Sequence, residues 1–576
     1  MSRSIRRRDA IAAPQDDADA WPDVPPLLRQ VYAARGARTH AEAQPRLTRL
    51  LPPDALGGVD AAAALLIEAM DADRHIVVVG DFDCDGATAC AVAVRGLRML
   101  GARRLSHAVP NRMVHGYGLS PGLVEDLVAL SPELLVTVDH GIACHAGIAA
   151  ARARGWQVLV TDHHLPGERL PDADVVVDPN LPGDAFPSKA LAGVGVMFYV
   201  LLALRRRLRD AGRFEGDPPD LSVLLDLVAV GTVADLVPLD QNNRVLVAAG
   251  LRRLRAGRGC AGLQALIEIS RRQVSTLTAA DIGFALAPRI NAAGRLEDMA
   301  LGIECLLCDD PRRARELAEI LDGINAERRG VQQQMVAEAE TALAALTPDA
   351  DATRATVCLY REDWHPGVVG LVASKIKERL HRPTIAFAPS DAGSELLRGS
   401  ARSISGFHIR DALAAVDARS PGLIEKFGGH AMAAGLSLRL EALPRFQAAF
   451  EACAIEALSP ELLQDVVLSD GAIAPEHCGI GTALALRDGG PWGQGFPEPV
   501  FDDVFDVVSW RPVGESHLKL ELAWPGTARR TNAIHFGGWT GEPPPSRMRI
   551  AYRLQPDDWR GGDAVQLIVV HREAAA

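Results

Sequence analysis

From Ile76 onward, short β-branched apolar runs alternate with Ala-rich stretches of helical character, and this alternation restricts the fold more than any other feature of the chain. Ile76–Val79 precedes a helix starting at Ala87, Leu134–Val138 precedes another helix, and an apolar run at 158–160 follows. Strands joined by helical crossovers cannot pair through tight antiparallel turns, so they lie side by side in a parallel sheet with helices on its faces. An α/β parallel-sheet domain is therefore expected over residues 46–308.

A chain of 576 residues is too long for one compact core. Residues 1–45, rich in Ala, Arg, Pro and Asp without a clear period, read as an N-terminal arm of extended chain or short helices. The charged, Pro-free stretch after Pro311 carries Leu317, Ile320, Leu321 and Ile324 at helical spacing, which predicts a connecting helix over 309–347. A smaller α/β domain is expected at 348–459, from strands at 356–359 and 384–387 around helix Val369–Leu380. Alternating runs at 504–508, 517–522, 531–536, 547–554 and 565–570 predict a C-terminal β-barrel of OB-fold type over 460–576, with a generic β-sandwich as the alternative.

The formal net charge of -12 argues against a protein that coats nucleic acid nonspecifically, since phosphate binding needs Lys and Arg to displace counterions. Local basic clusters do occur, at Arg252, Arg253, Arg255 and Arg258 and at Arg271 and Arg272, and they read most simply as solvated helix faces. The nine Cys are scattered, and the one close pair, Cys305 and Cys308, lacks a second pair to complete a zinc site. They read as buried thiols in a reducing cytoplasm. Arg6, Arg7 and Arg8 are not followed by an apolar run, and no uncharged apolar stretch is long enough for a bilayer, so secretion and membrane insertion are not expected.

Strand Ile76–Val79 runs into Asp81, Asp83 and Asp85, and three carboxylates at one strand end repel one another unless a cation or proton intervenes. A divalent ion held by hard oxygen ligands resolves this most simply. A solvated acidic turn or a calcium loop would be the plainer alternative. The calcium loop lacks its final Glu, and an isolated turn does not account for the strand ends that follow. Leu134–Val138 ends in Asp139, the run at 158–160 delivers Asp162, His163 and His164, and the apolar run at 224–233 delivers Asp235 as a fourth such end. The C-terminal ends of parallel strands open onto one crevice, so these groups can converge. Mixed carboxylate and imidazole ligands suit Mn2+, and Mg2+ is feasible because carboxylates dominate.

The order D-F-D-C-D-G, V-D-H-G-I, D-H-H and G-T-V-A-D resembles the motifs of the DHH phosphoesterase family. The resemblance implies that Asp83, Asp85, Asp139, His163 and Asp235 bind two divalent metal ions, with Asp139 bridging them and Asp81 a ligand or a partner of one. It also implies that His164 faces the substrate phosphate and that Asp162 orients the histidine pair. His140, within V-D-H-G-I, departs from the pattern and reads as filler. Further segments resemble the family's single-strand exonucleases: Pro110 to Arg112, Gly116 to Gly118, Leu191 to Gly195 and Ala287 to Leu296. In the last, Arg289 and Arg295 flank Asn291 on what reads as a tight turn, and Arg among small residues suits phosphate contact.

In the second domain, Trp364 to Val368, Gly399 to Ser403 and the G-G-H of Gly428 to His430 resemble the DHH-associated domain, with His430 among the substrate-facing groups. There Ser400 and Arg402, with Arg112 from across the cleft, look like a pocket for a terminal 5′ phosphate. The segments Pro491 to Val500 and Trp559 to Gly561 resemble the family's OB-fold, where few spare aromatics leave backbone contact to dominate.

The resemblance runs from about Ala61 to Arg572. It implies a 5′-3′ exonuclease specific for single-stranded DNA, releasing mononucleotides by two-metal hydrolysis in DNA repair and recombination. A monomer served by a helicase and a single-strand-binding protein is the implied setting. A DHH-type pyrophosphatase or oligonucleotide phosphatase would keep the metal residues in a shorter chain, and a scaffold protein with a dead site would lose them. The barrel argues against the first, and the complete ligand set against the second.

Overall fold

A computed structural model of the chain describes residues 3–9, 21, 23–112, 114–344, 354–391 and 393–575. The first sheet has five parallel strands in the spatial order Leu105–Ala108, Ile76–Val79, Leu134–Val138, Gln157–Thr161, Val175–Val177. Every residue of Ile76–Val79 and of Leu134–Val138 is buried, as expected where helices cover both faces. The two edge strands escape the sequence pattern because they are short and only partly covered. Ile76–Val79, the first strand of this sheet in chain order, sits between the second and third, so crossovers leave it toward opposite sides. The crevice at this switch point opens between the ends of Ile76–Val79 and Leu134–Val138.

Three helices shape that crevice. Cys84–Met99 starts three residues before the expected Ala87, because Asp83 caps it by accepting from the Gly86 amide. Gly193–Asp210 packs against Cys84–Met99, as does Leu225–Ala234. This last helix corrects the reading of 224–233 as a fourth strand. Apart from Asp226 and Thr232 it is apolar, and it is buried from Leu225 to Thr232; a short, largely apolar run shows no periodicity to separate helix from strand. The segment read as a tight turn is also helical: a single π-turn, Ile282–Leu286, leads without a break into helix Ala287–Leu296, whose second residue is Pro288.

The connecting helix, Pro311–Ala344, leads to a mixed five-stranded sheet in the order Lys426–Gly429, Ala433–Arg439, Leu396–Arg402, Thr384–Pro389, Val357–Tyr360. Strands Phe501–Val513, His517–Ala523, Arg530–His535, Val565–Ala574 and Arg547–Pro556 close, in that order, into a barrel. Trp510, Phe536 and Trp559 are exposed on it, more aromatic surface than the sequence suggested, because strand alternation does not reveal which rings lie beyond the barrel's packed face.

The described part of the N-terminal arm is folded against the rest. Strand Ser4–Arg7 pairs in parallel with Val466–Ser469, and Arg35 forks onto Asp470 at 2.9 Å. Tyr32 stacks between Trp21 on one side and Trp492 and Phe496 on the other. Among the described residues all nine Cys are unpaired and no single helix is long and apolar enough to cross a membrane.

Candidate metal centre

At the switch point the chain brings together six carboxylates and two imidazoles. Ligand-capable atoms of Asp81, Asp83 and Asp139 lie within 4.8 Å of one another, as do those of Asp85, His163 and Asp235, and those of Asp139, His163 and His164. Asp139 and His163 each belong to two of these groups, so the clusters form one continuous site with room for more than one ion.

Asp139 sits in the left-handed region, at φ 65°, immediately beyond its strand. Its amide donates to the Thr161 carbonyl at 3.0 Å, which holds the strained turn and aims the carboxylate into the crevice. Asp85 is held by the start of helix Gly193–Asp210. The Gly193 amide donates to its Oδ2 at 2.6 Å and the Val194 amide to its Oδ1 at 3.0 Å. Only glycine fits at 193, since a Cβ there would lie 2.4 Å from the Asp139 Cβ. Asp235 arrives at the C-terminal cap of helix Leu225–Ala234 rather than at a strand end.

Asp162 faces away from the clustered carboxylates and organises the D-H-H turn. Its Oδ1 accepts from the His163 amide at 2.7 Å, the His164 amide at 3.1 Å and the His164 Nδ1 at 2.7 Å, while the Ile142 amide donates to Oδ2 at 2.9 Å. Burial works against its ionisation, but the hydrogen bond and charge of His164 outweigh it and hold the carboxyl well below the usual range. His164, in turn, is raised to about 9: burial opposes its charge, and the bond to Asp162 prevails. His163 is buried beside a charged neighbour, and both effects lower it, leaving a neutral imidazole of the kind that ligates metals.

Four neighbouring carboxyls move the opposite way. Burial first, then repulsion between carboxylates, lifts Asp85 and Asp235 to about 7 and holds Asp81 and Asp139 well above the usual carboxylate range. A divalent cation reverses both penalties at once. The unsatisfied atoms fit one as well. Asp139 Oδ1 and His163 Nε2 lie 3.1 Å apart, yet neither makes a hydrogen bond, and buried Asp81 Oδ1 also lacks a partner. Atoms aimed at a common point rather than at each other are what an ion site requires.

Arginines line the adjoining cleft. The Arg112 guanidinium lies 4.0 Å from the centre of the Phe82 ring, within the acidic loop, and Arg295 donates to the Gly367 carbonyl of the second domain at 3.2 Å. Arg402 donates to Ser400 Oγ at 3.0 Å, and both abut Gly370. Arg295 is lowered to about 9 by burial and by repulsion from Arg112 and Arg402, so the three cations share one neighbourhood. Among the described residues none of the three forms an ion pair with a carboxylate. Arg112 and Arg295 border a cavity of about 310 Å3 that His365 also lines. His430 reaches across from the second domain, its ring 5.3 Å from that of His164.

Two of the sequence candidates are placed differently. Arg289 pairs with Asp322 on the connecting helix at 2.8 Å and donates to the Ala285 carbonyl, so its guanidinium is committed to helix packing. Asn291 accepts from the Cys84 amide at 2.9 Å, bracing the acidic loop from behind. His140 is buried and reaches the Val79 carbonyl at 3.1 Å, filling the space between strands. The sequence reading missed Asp178 at the end of Val175–Val177, and with it Asn180, whose amide donates to the His163 carbonyl at 2.6 Å. A three-residue apolar run ending in Asp was the available signal.

Sheet order, D-H-H turn and convergent carboxylates define a DHH phosphoesterase. Residues 75–232 match the DHH family N-terminal domain, 353–456 the DHHA1 domain and 469–571 the RecJ OB domain. The single-stranded-DNA-specific exonuclease RecJ of Salmonella typhimurium is 48% identical over 99% of both chains, and that of Escherichia coli is 47% identical over 98% of both. The crystal structure of Thermus thermophilus RecJ in complex with Mn2+ superposes with a TM-score of 0.82 at 31% identity, over 100% of this chain and 79% of that one. The Mg2+ complex of the same protein gives a TM-score of 0.77. The chain belongs to the RecJ family.

Proposed function

We propose that the protein is a 5′-3′ exonuclease that hydrolyses single-stranded DNA to mononucleotides, and that Asp81, Asp83, Asp85, Asp139, His163 and Asp235 hold its two divalent metal ions. The observation that carries this is the juxtaposition of the orphaned acid and imidazole atoms with the Arg112, Arg295 and Arg402 cluster in one cleft. When bound, the metals supply Lewis acidity at phosphorus and an activated water.

The chain's own residues divide the remaining work. Arg112, Arg402 and Ser400 receive the terminal 5′ phosphate, with Arg295 adding charge from between the two domains. Two planar guanidiniums can fork onto its oxygens, whereas a 5′ hydroxyl leaves them facing one another uncompensated. The scissile linkage then meets His164, whose Nδ1–H is fixed on Asp162, leaving Nε2, 3.4 Å from the Tyr117 hydroxyl, as the edge offered to substrate. With the group raised to about 9, that edge carries a proton at neutral pH and donates to a phosphate oxygen as charge builds there. His430 covers the same imidazole and limits access of water. Mn2+ is the metal favoured by the imidazole in the donor set, and Mg2+ fits the carboxylates.

The residues between 46 and 308, 348 and 459, and 460 and 576 act as domains in this scheme, with 309–347 as the connecting segment and 1–45 as the N-terminal arm. The enzyme works in the cytoplasm as a monomer, and a helicase or a single-strand-binding protein presents its substrate during repair and recombination. The test is an assay with Mn2+ on single strands labelled at either end, beside duplex DNA, RNA and pyrophosphate. Stepwise release of mononucleotides from the 5′ end of the single strand is expected, and Arg402→Ala should abolish any preference for a 5′ phosphate over a 5′ hydroxyl. Preference for pyrophosphate, or release from the 3′ end, would overturn the assignment.

A further inference from the structure

The basic cluster at 252–258 plays no part in the metal cleft. Arg252 and Arg253 occupy the last turn of helix Gln241–Arg255, where the helix dipole favours cations, and Arg258 follows just beyond it. Arg252 and Arg258 are exposed and Arg253 is half-buried, and the three border one cavity of about 270 Å3, with Leu47, Leu225 and Ala249 as apolar wall. Leu225 begins the helix that ends beside Asp235. Ten residues at about 1.5 Å per residue put this cavity about 15 Å from the metal cleft, at the opposite end of that helix.

Two of the three guanidiniums are anchored on backbone carbonyls. Arg253 donates to the Arg258 carbonyl at 3.1 Å and Arg252 to the Pro45 carbonyl at 3.5 Å, which orients both while leaving most of their five N–H groups unused. Arg253 Nε is buried and has no hydrogen-bond partner. Among the described residues none of the three forms an ion pair. Of the carboxylates on adjoining elements, Asp220 binds Ser222, while buried Asp226 accepts from the Cys260 amide at 2.7 Å and lies close enough to Arg253 to feel its charge. Three like charges, two of them oriented by backbone carbonyls, around a concavity with an apolar wall suit an anion that carries an organic group.

We propose that this cavity is a second phosphate-binding site, which takes either a backbone phosphate of a bound strand or the phosphate of a free nucleotide. The test compares the full-length protein with the variant Arg252→Gln/Arg253→Gln/Arg258→Gln, and with Arg258→Glu alone in case the triple change unfolds the chain. Two probes distinguish the sources of phosphate. The first is fluorescence anisotropy of a nuclease-resistant phosphorothioate oligothymidylate at increasing salt, with Mn2+ present. If backbone phosphates occupy the cavity, the triple variant's log-log salt slope becomes shallower by about 2, since each single-strand phosphate contact contributes about 0.7. The second is calorimetric titration with thymidine monophosphate, in which a free-nucleotide site would appear as one binding event lost from the variant. In either case turnover of a 5′-phosphorylated dinucleotide, too short to reach from the metal cleft, should stay at the wild-type rate. Unchanged salt slope together with unchanged nucleotide stoichiometry, in the triple variant or in Arg258→Glu, would overturn the proposal.

Discussion

Replacing Gly193 with Ala should disable the enzyme while leaving its fold standing. An alanine Cβ at this position would lie 2.4 Å from Asp139 Cβ, 2.6 Å from its Oδ1 and 2.7 Å from its Cα. Ordinary carbon contacts begin near about 3.5 Å, so backbone on one side or the other must yield by about 1 Å. That shift either drives Asp139 off its position or withdraws the Gly193 and Val194 amides from Asp85, to which they donate at 2.6 and 3.0 Å. Misplacement of a catalytic group by about 1 Å costs about 100-fold in rate, whereas overpacking costs about 1–3 kcal/mol of stability. The assay is kcat/KM for Mn2+-dependent hydrolysis of a 5′-phosphorylated single strand, with thermal unfolding measured in parallel. A folded Gly193→Ala protein with wild-type kcat/KM would refute the claim that the helix start and the acidic strand end are built to touch.

Three further outcomes follow from the contacts. Asn291→Ala strands the partly buried Cys84 amide and should cost about 1–3 kcal/mol, read from urea unfolding, and weaken Mn2+ binding through the loosened acidic loop. Arg289→Ala should leave single-strand affinity unchanged but lower stability, and a double-mutant cycle with Asp322→Ala should show coupling of about 1 kcal/mol; loss of DNA affinity would instead place Arg289 on the substrate. Burial holds the Asp178 carboxyl up to about 8, so between pH 4 and 8 the folded chain keeps a proton there that the unfolded chain releases, and stability falls as pH rises through that window. Asp178→Asn should flatten this dependence in metal-free protein by up to about 1.4 kcal/mol per pH unit, and an identical pH profile would show that Asp178 ionises freely.

The central strands could be read from sequence because burial on both faces demands unbroken β-branched runs, and Ile76–Val79 and Leu134–Val138 provide them. Leu105–Ala108 and Val175–Val177 could not, since an edge strand needs less apolar length. The hydrophobic pattern of 224–233 fixed its burial but not its shape, and the helix it forms still delivers Asp235 to the crevice by a different route. Site chemistry proved more legible than site geometry. The acids and imidazoles announce themselves at segment ends, whereas the partners that position them are tertiary: the Asn291 brace lies 207 residues from Cys84, and Gly193 lies 108 from Asp85. Arg289 illustrates the limit in the other direction, because an arginine among small residues looks alike whether it awaits a phosphate or Asp322 on a distant helix.

Everything depends on side chains from four separate stretches of chain meeting to share a pair of cations. The most direct measurement is an electron paramagnetic resonance titration of the metal-free protein with Mn2+, comparing wild type with Asp139→Ala. Two ions per wild-type chain with a spin-coupled signal, reduced to one uncoupled ion or none in the variant, is the expected result. Two coupled ions in Asp139→Ala, or only a single site in the wild type, would contradict it.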